Sequence, residues 1–382
     1  MEYRILGRTG LKVGAIALGC EGFADKTAEE VRADFDFAIR NGINFLDLYA
    51  SNPELRSNIG AALAGRREKF VIQGHLCSVW EEGQYLRTRD PEKSLAAFED
   101  LLARLGTDYV EIGMIHYVDA EADLREVLDG PIMRLAQRLR SEGRIRHIGL
   151  SSHNPVVAHM AARTGLIDVL MFSVNPCYDL LPPSDDVDTL WADESYAREL
   201  HNIDPERQRL YEFCEREGIA IDVMKAYGGG DLLSDANSPF GRPMTPVQCL
   251  EYALTRPGVA AVMAGCRSRA EIEAALAWCS ATAAERDYTG ALAGLDKFSW
   301  EGHCMYCGHC APCSVGIDIA GVNKYYNLTL AQHEIPETVR EHYRLLPHHA
   351  SECIACGRCE RNCPFGVDII SHMRLAAAKF GY

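Results

Sequence analysis

No apolar run in this 382-residue sequence approaches the ~20 residues a helix needs to cross a bilayer, so no membrane-spanning helix is expected. Positive charge is also scarce. Lys and Arg number 39 against 54 Asp and Glu, a net charge of −15, which argues against nucleic acid as a partner because phosphates require a basic surface. Repeats and low-complexity tracts are absent, and so is a GxGxxG fingerprint after the first apolar strand. The opening residues lack the pattern of an export signal, so a reducing, cytoplasmic setting is expected. No feature points to an oligomeric state. The rest is ordinary globular composition, 47% hydrophobic and 24% charged. The length exceeds what one core usually organises, so two domains are expected.

Cysteine, in contrast, is concentrated. The last eighty residues carry Cys304-x2-Cys307-x2-Cys310-x2-Cys313 and Cys353-x2-Cys356-x2-Cys359-x3-Cys363-Pro364. Two-residue gaps let three thiolates converge on one small inorganic cube. The second run resembles the bacterial ferredoxin spacing, proline included. That resemblance implies two [4Fe-4S] clusters with exchanged fourth ligands: Cys304, Cys307, Cys310 and Cys363 on one, Cys353, Cys356, Cys359 and Cys313 on the other. The first run departs from the pattern, with two residues before Cys313 and Ser314 in place of proline. A disulfide knot or zinc knuckles are the alternatives, and neither suits paired four-cysteine runs in a reducing compartment. The other seven cysteines have no ligand spacing and read as small buried residues.

Upstream, short apolar strands alternate with amphipathic helical stretches. The strand candidates are Ala15–Leu18, Asn44–Leu48, Phe70–Gln73, Tyr109–Ile115, Arg146–Leu150, Val169–Val174, Ala220–Met224 and Ala260–Ala264. Helices such as Ala28–Arg40, Glu92–Leu105 and Ile132–Glu142 separate them. The pattern predicts an α/β chain: a closed (β/α)8 barrel over residues 1–283, then a linker and a small, mainly helical two-cluster domain over 284–382. Glu2–Gly7 and Leu11–Ala15 predict a hairpin closing the barrel bottom. Residues 178–205 form a long acidic insertion after the sixth strand, as lids and binding loops do.

Chemistry in such barrels collects at the C-terminal strand ends. Asp47, His75 and His116 fall there on three adjacent strands, and alternation puts Tyr49 on the side of Asp47. The segments Tyr3–Val13, Gly42–Asp47 and Arg144–Ser151 resemble the aldo/keto reductase family, and with the tail the whole chain resembles its branch with a C-terminal iron–sulfur domain. The resemblance implies an oxidoreductase whose tyrosine protonates a carbonyl while NADPH delivers hydride, with Lys and Asp lowering the tyrosine pKa and His orienting substrate. Asp47 and His116 match that tetrad. The tyrosine position is Asn52 and the lysine position is His75. An amide cannot release a proton near neutrality, which leaves His75 or Tyr49 as proton donor.

For the cofactor, the resemblance implies NADP(H) or NAD(H) held by Gly265, Arg267 and Ser268 at a helix start and by Ser151 at the nicotinamide. The family's nearby asparagine and glutamine are Ala275 and Met171 here. Lys225, opening a glycine run, could lie close to a pyrophosphate. Trp80, Tyr85, Arg87 and Arg89 in the third loop are candidates to clasp an anionic small-molecule substrate, the plain alternative being ion pairs with Glu81, Glu82 or Asp90.

The leading expectation is therefore an oxidoreductase exchanging electrons with a small organic substrate through its clusters, with a nicotinamide, a soluble ferredoxin, or both as the other partner. Two alternatives stand: a metal-dependent barrel using Asp47, His75 and His116 as a two-histidine, one-carboxylate site, and a non-catalytic electron-transfer subunit.

Overall fold

The computed structural model describes residues 1–293, 295, 297–330 and 335–382. Eight parallel strands close into a barrel: Ile16–Gly19, Phe45–Leu48, Val71–Leu76, Val110–Ile115, Ile145–Ser152, Val169–Ser173, Ala220–Met224 and Val259–Gly265. Each predicted strand is present, with ends displaced by a few residues at most. Helices wrap the outside, and proline placement explains several of their starts. Six helices begin on a proline at their first turn, at Pro53, Pro91, Pro131, Pro155, Pro205 and Pro246, where its missing N–H costs nothing. Asn52, Asp90, Asn154, Asp204 and Thr245 cap five of them from the preceding position. Asn52, standing at the family's tyrosine position, thus accepts the Leu55 N–H at 3.0 Å as a helix cap.

Period-two alternation splits the apolar residues between two cores. One fills the space between strands and helices; the other lines the barrel with Ala17, Phe45, Ile112, Met114, Val169, Met171, Ala261 and Met263. Below, the hairpin of Tyr3–Ile5 and Lys12–Gly14 seals the floor with Leu6 and Val13. At the opposite end the inward positions turn polar, which is where the site lies.

Two loops carry structure of their own. The third loop is an antiparallel hairpin, Ser78–Glu81 with Gln84–Arg87, turned at Glu82 and Gly83, both with positive φ. The insertion after the sixth strand is made of short 3₁₀ turns and ends in Leu200–His201, which pairs in parallel with Phe298–Ser299 of the segment leading to the tail. That tail contains helices Ile319–Leu330, Glu337–Arg344, Arg358–Asn362 and Ile369–Phe380. It packs on the outside of the barrel, where Lys324 meets Glu215 at 2.8 Å.

Candidate functional site

Parallel register sets Gln73 beside Asp47 and His75 beside Met114, so side chains from strands two, three and four meet at one height. The His75 ring is bonded at both nitrogens: Nε2 lies 2.8 Å from Asp47 Oδ1 and Nδ1 lies 2.7 Å from His116 Nδ1. Asp47, His75 and His116 are all buried. Gln73 Nε2 donates to Asp47 at 2.9 Å and to Asp222 Oδ2 on the seventh strand at 3.1 Å. Sequence reasoning missed Gln73 and Asp222. Their signal was period-two alternation from His75 and Met224, which turns both inward.

The two nitrogen contacts fix what this row can do. A carboxylate at Asp47 requires hydrogen on His75 Nε2. Neutral His75 then accepts at Nδ1 from His116 Nδ1–H, leaving His116 Nε2 bare. With His75 as imidazolium the bond reverses, and His116 carries its hydrogen on Nε2 instead. The two states differ by one proton relayed between His75 and the far edge of His116. Burial, then the neighbouring His75 and Arg89, hold the His116 pKa well below the usual imidazole range.

Asp222 carries a second consequence. Burial first, and the Asp47 charge second, push its pKa far above the carboxylate range, so it holds its proton. A raised native pKa means that stability is full below the unfolded value of ~3.9 and declines as pH rises above it. Asp222→Asn removes that decline. Its melting temperature relative to wild type should rise as the buffer goes from about pH 4 to about pH 8. A pH-independent difference in thermal melts would show that Asp222 is ionised in the native state.

Aromatic rings enclose His116. Tyr49 stacks on it, centroids 5.4 Å apart and planes within 5°, and Tyr85 meets it edge-on at 5.5 Å. Burial, with Glu21 alongside, drives the Tyr49 phenol well above its ordinary pKa, which makes it a poor acid. Tyr85 descends from the hairpin, where it pairs with Trp80 in register. Its hydroxyl is buried with no hydrogen-bond partner, and burial pushes its pKa up to about 12.

The arginines of that loop are committed elsewhere. Arg89 donates to both Asp123 oxygens at 2.7 Å and to the carbonyls of His116 and Tyr117 at 2.8 and 2.7 Å. Arg87 joins Asp123 at 3.1 Å and lies over the Tyr117 ring at 4.6 Å. Neither takes the partners expected from sequence, Glu81, Glu82 or Asp90; together they brace the backbone that carries His116.

The residues expected to hold a nicotinamide are spread over the mouth of strands five, seven and eight. Ser151 Oγ accepts the Tyr117 N–H at 2.9 Å. Lys225 has φ +60° and sets its ammonium 4.9 Å over the Trp191 ring. Gly265 is exposed with open space above it, Ser268 caps the helix Arg269–Leu276, and Arg267 is exposed. Also unforeseen was a second dyad nearby, His153 Nδ1 on buried Asp119 at 2.8 Å.

In the tail, Cys304, Cys307, Cys310 and Cys363 line one hollow, and Cys313, Cys353, Cys356 and Cys359 line another. All eight lie outside disulfides. Burial raises the Cys304 and Cys310 pKa to about 12, so in the first hollow ionisation goes with metal binding. Cys356, by contrast, reaches the surface, where N–H donation from Arg358 favours its thiolate.

The aldo/keto reductase family profile matches residues 11–246. The chain belongs to the aldo/keto reductase family. A 4Fe-4S dicluster domain profile matches residues 303–368. Among curated relatives, an uncharacterized oxidoreductase of Bacillus subtilis, YqkF, is 28% identical over 179 residues, covering 45% of this chain and 56% of the relative. L-galactose dehydrogenase of Arabidopsis thaliana is 28% identical over 202 residues, 48% and 61% of the two chains. L-glyceraldehyde 3-phosphate reductase of Escherichia coli K12 is 30% identical over 165 residues, 41% and 46%. This aldo/keto reductase therefore spans about half the length of the curated relatives it matches. The holo form of an aldo-keto reductase from Bacillus halodurans, AKR11C1, superposes with TM-score 0.58 at 23% identity, over 75% of this chain and 94% of that one. A putative aldo-keto reductase from Pseudomonas aeruginosa gives 0.55 at 22%, over 73% and 95%. These structures share the barrel fold.

Proposed function

We propose that this aldo/keto reductase is an iron–sulfur-dependent oxidoreductase acting on a small organic carbonyl or its alcohol, with Asp47, His75 and His116 handling the proton. The observation that carries the reading is His75, bonded at both ring nitrogens between Asp47 and His116 at the mouth of the barrel. Asn52 serves as a helix cap, so the relay takes the place of the family's tyrosine and lysine. The Asp47 carboxylate orients His75, and His75 passes the proton to His116. His116 presents it from Nε2 to the substrate oxygen, and takes it back in the oxidative direction. Tyr49 and Tyr85 exclude water around the ring, and Tyr85 and Trp80 line the substrate's approach beneath the hairpin.

The barrel occupies residues 1–283 and the cluster-bearing unit follows it. Each four-cysteine hollow fits one [4Fe-4S] cluster: four thiols of suitable spacing face an enclosed space of mostly apolar lining. The clusters supply single-electron transfers. Gly265, Arg267 and Ser268 fit the adenosine phosphate of NADP(H), since open space and an exposed guanidinium lie at a capped helix start. Ser151 and Lys225 stand nearer the nicotinamide, which supplies hydride when bound. A soluble ferredoxin is the remaining electron partner.

The metal-centre alternative is disfavoured by shape: the three groups lie in a row with His75 saturated in the middle.

Anaerobic purification tests the proposal. The protein should carry about eight iron atoms per chain. Its dithionite-bleached visible band should recover on adding a small carbonyl, an enone or oxidised nicotinamide. Iron-free protein, or reduced protein indifferent to all three, would refute it.

A further inference from the structure

Arg256, just past the helix Pro246–Leu254, is a fully buried guanidinium, 2% exposed, with no ion-pair partner among the described residues within 4.0 Å. Its Nε donates to the Tyr252 carbonyl at 3.2 Å, and its Nη2 donates to Thr255 Oγ1 at 3.0 Å, to Tyr288 Oη at 3.2 Å and to the Met305 carbonyl. Nη1 is buried without a partner. Two rings flank the group, Tyr252 at 4.6 Å and Tyr306 at 5.4 Å. Asp179, the carboxylate of this neighbourhood, is taken by Tyr211 at 2.5 Å, Tyr252 at 2.8 Å and Arg207 at 3.6 Å. Burying a cation costs several kcal/mol, and Asp179, the carboxylate whose charge reaches Arg256, is already shared among three other partners. A second negative centre nearby would offset the rest of that cost.

What lies close by is the first cysteine hollow. Met305, whose carbonyl Arg256 holds, and Tyr306, whose ring it faces, both line that hollow between Cys304 and Cys307. Four thiolates around a cubane leave a net negative centre, and each added electron makes it more so. The lining is almost wholly apolar, and such burial opposes reduction by disfavouring the added charge. A fixed positive charge one residue layer away acts in the opposite sense. Near the second hollow the arginines Arg358 and Arg361 are exposed, where water and salt screen them.

We propose that Arg256 is the counter-ion of the first cluster and raises that cluster's reduction potential, a positioning residue supplied by the barrel to the tail. The proposal rests on the ligand assignment above. Iron and sulfide analysis of the wild-type holoprotein tests that assignment separately, because metal-free protein would sink the assignment without touching Arg256.

The test is an EPR-monitored redox titration of the holoprotein, poised with dithionite through mediator dyes. Arg256→Gln keeps donors for the Met305 carbonyl and removes the charge. It should shift the reduction equilibrium of one cluster toward the oxidised form by about tenfold or more, ~59 mV for one electron, and leave the other within about twofold. Arg256→Lys keeps the charge and should stay within about threefold of wild type. Thr255→Glu leaves Arg256 in place but gives it a carboxylate, and should move the same cluster in the same direction; it decides the matter if Arg256→Gln does not assemble its first cluster. Unchanged potentials, equal shifts at both clusters, or a lysine variant that behaves like the glutamine variant would overturn the proposal.

Discussion

Replacing His75 by glutamine is expected to cut turnover by about 10²- to 10⁴-fold, with iron content and KM nearly unchanged. The size of the effect follows from its two bonds. With Asp47 on Nε2 and His116 on Nδ1, the ring touches no substrate, so binding has little to lose. Glutamine can still donate to Asp47, yet an amide cannot take up and release a proton between two partners. His116 would then lose its source and sink together, and the pH dependence of kcat should flatten as well as the rate fall. Steady-state assays with whichever carbonyl reoxidises the protein give the number. A variant within about threefold of wild type would mean the proton comes from elsewhere, with the orphan hydroxyl of Tyr85 next to be examined.

Cys363→Ala is expected to remove the first cluster, not the second, although Cys363 belongs to the second run. The mutated side chain lines the hollow shared with Cys304, Cys307 and Cys310. Iron should drop from about eight to about four atoms per chain, and one of two EPR signals should vanish. The surviving signal should be the one that Arg256→Gln leaves alone. Stability should suffer too, since ligand binding and folding are coupled in such small metal-bearing units. If the two variants affect different clusters, the exchange of fourth ligands between runs is wrong.

How much of this could be read in the sequence varied with the range of the interaction. The cysteine runs were legible because ligand geometry is written in gaps of two or three residues. The barrel was legible because eight apolar runs of strand length recur between amphipathic helices. Asp47, His75 and His116 were legible as polar residues at strand ends. Gln73 and Asp222 were passed over, since a polar residue inside a strand gives no hint of the partner it meets across the barrel. The hairpin at Ser78–Arg87 escaped notice because its turn is Glu82-Gly83, outside the Asn-Gly and Asp-Gly pairs that announce such turns. Asp123 was not among the partners weighed for Arg87 and Arg89 because it lies 34 residues beyond Arg89. Arg256 gave no signal at all: burial and isolation are properties of the folded chain.

The short parallel pairing of Leu200–His201 with Phe298–Ser299 has one more implication. Phe298 and Trp300 also pack against Phe240 from the loop after the seventh strand, at 5.6 and 6.0 Å. The segment leading to the tail is therefore sewn to two of the loops at the barrel mouth. Hybrids that graft this tail onto another family member at residue 283 should inherit the clusters but not the stitching. Transplanting the tail with its packing intact means moving both rim loops with it.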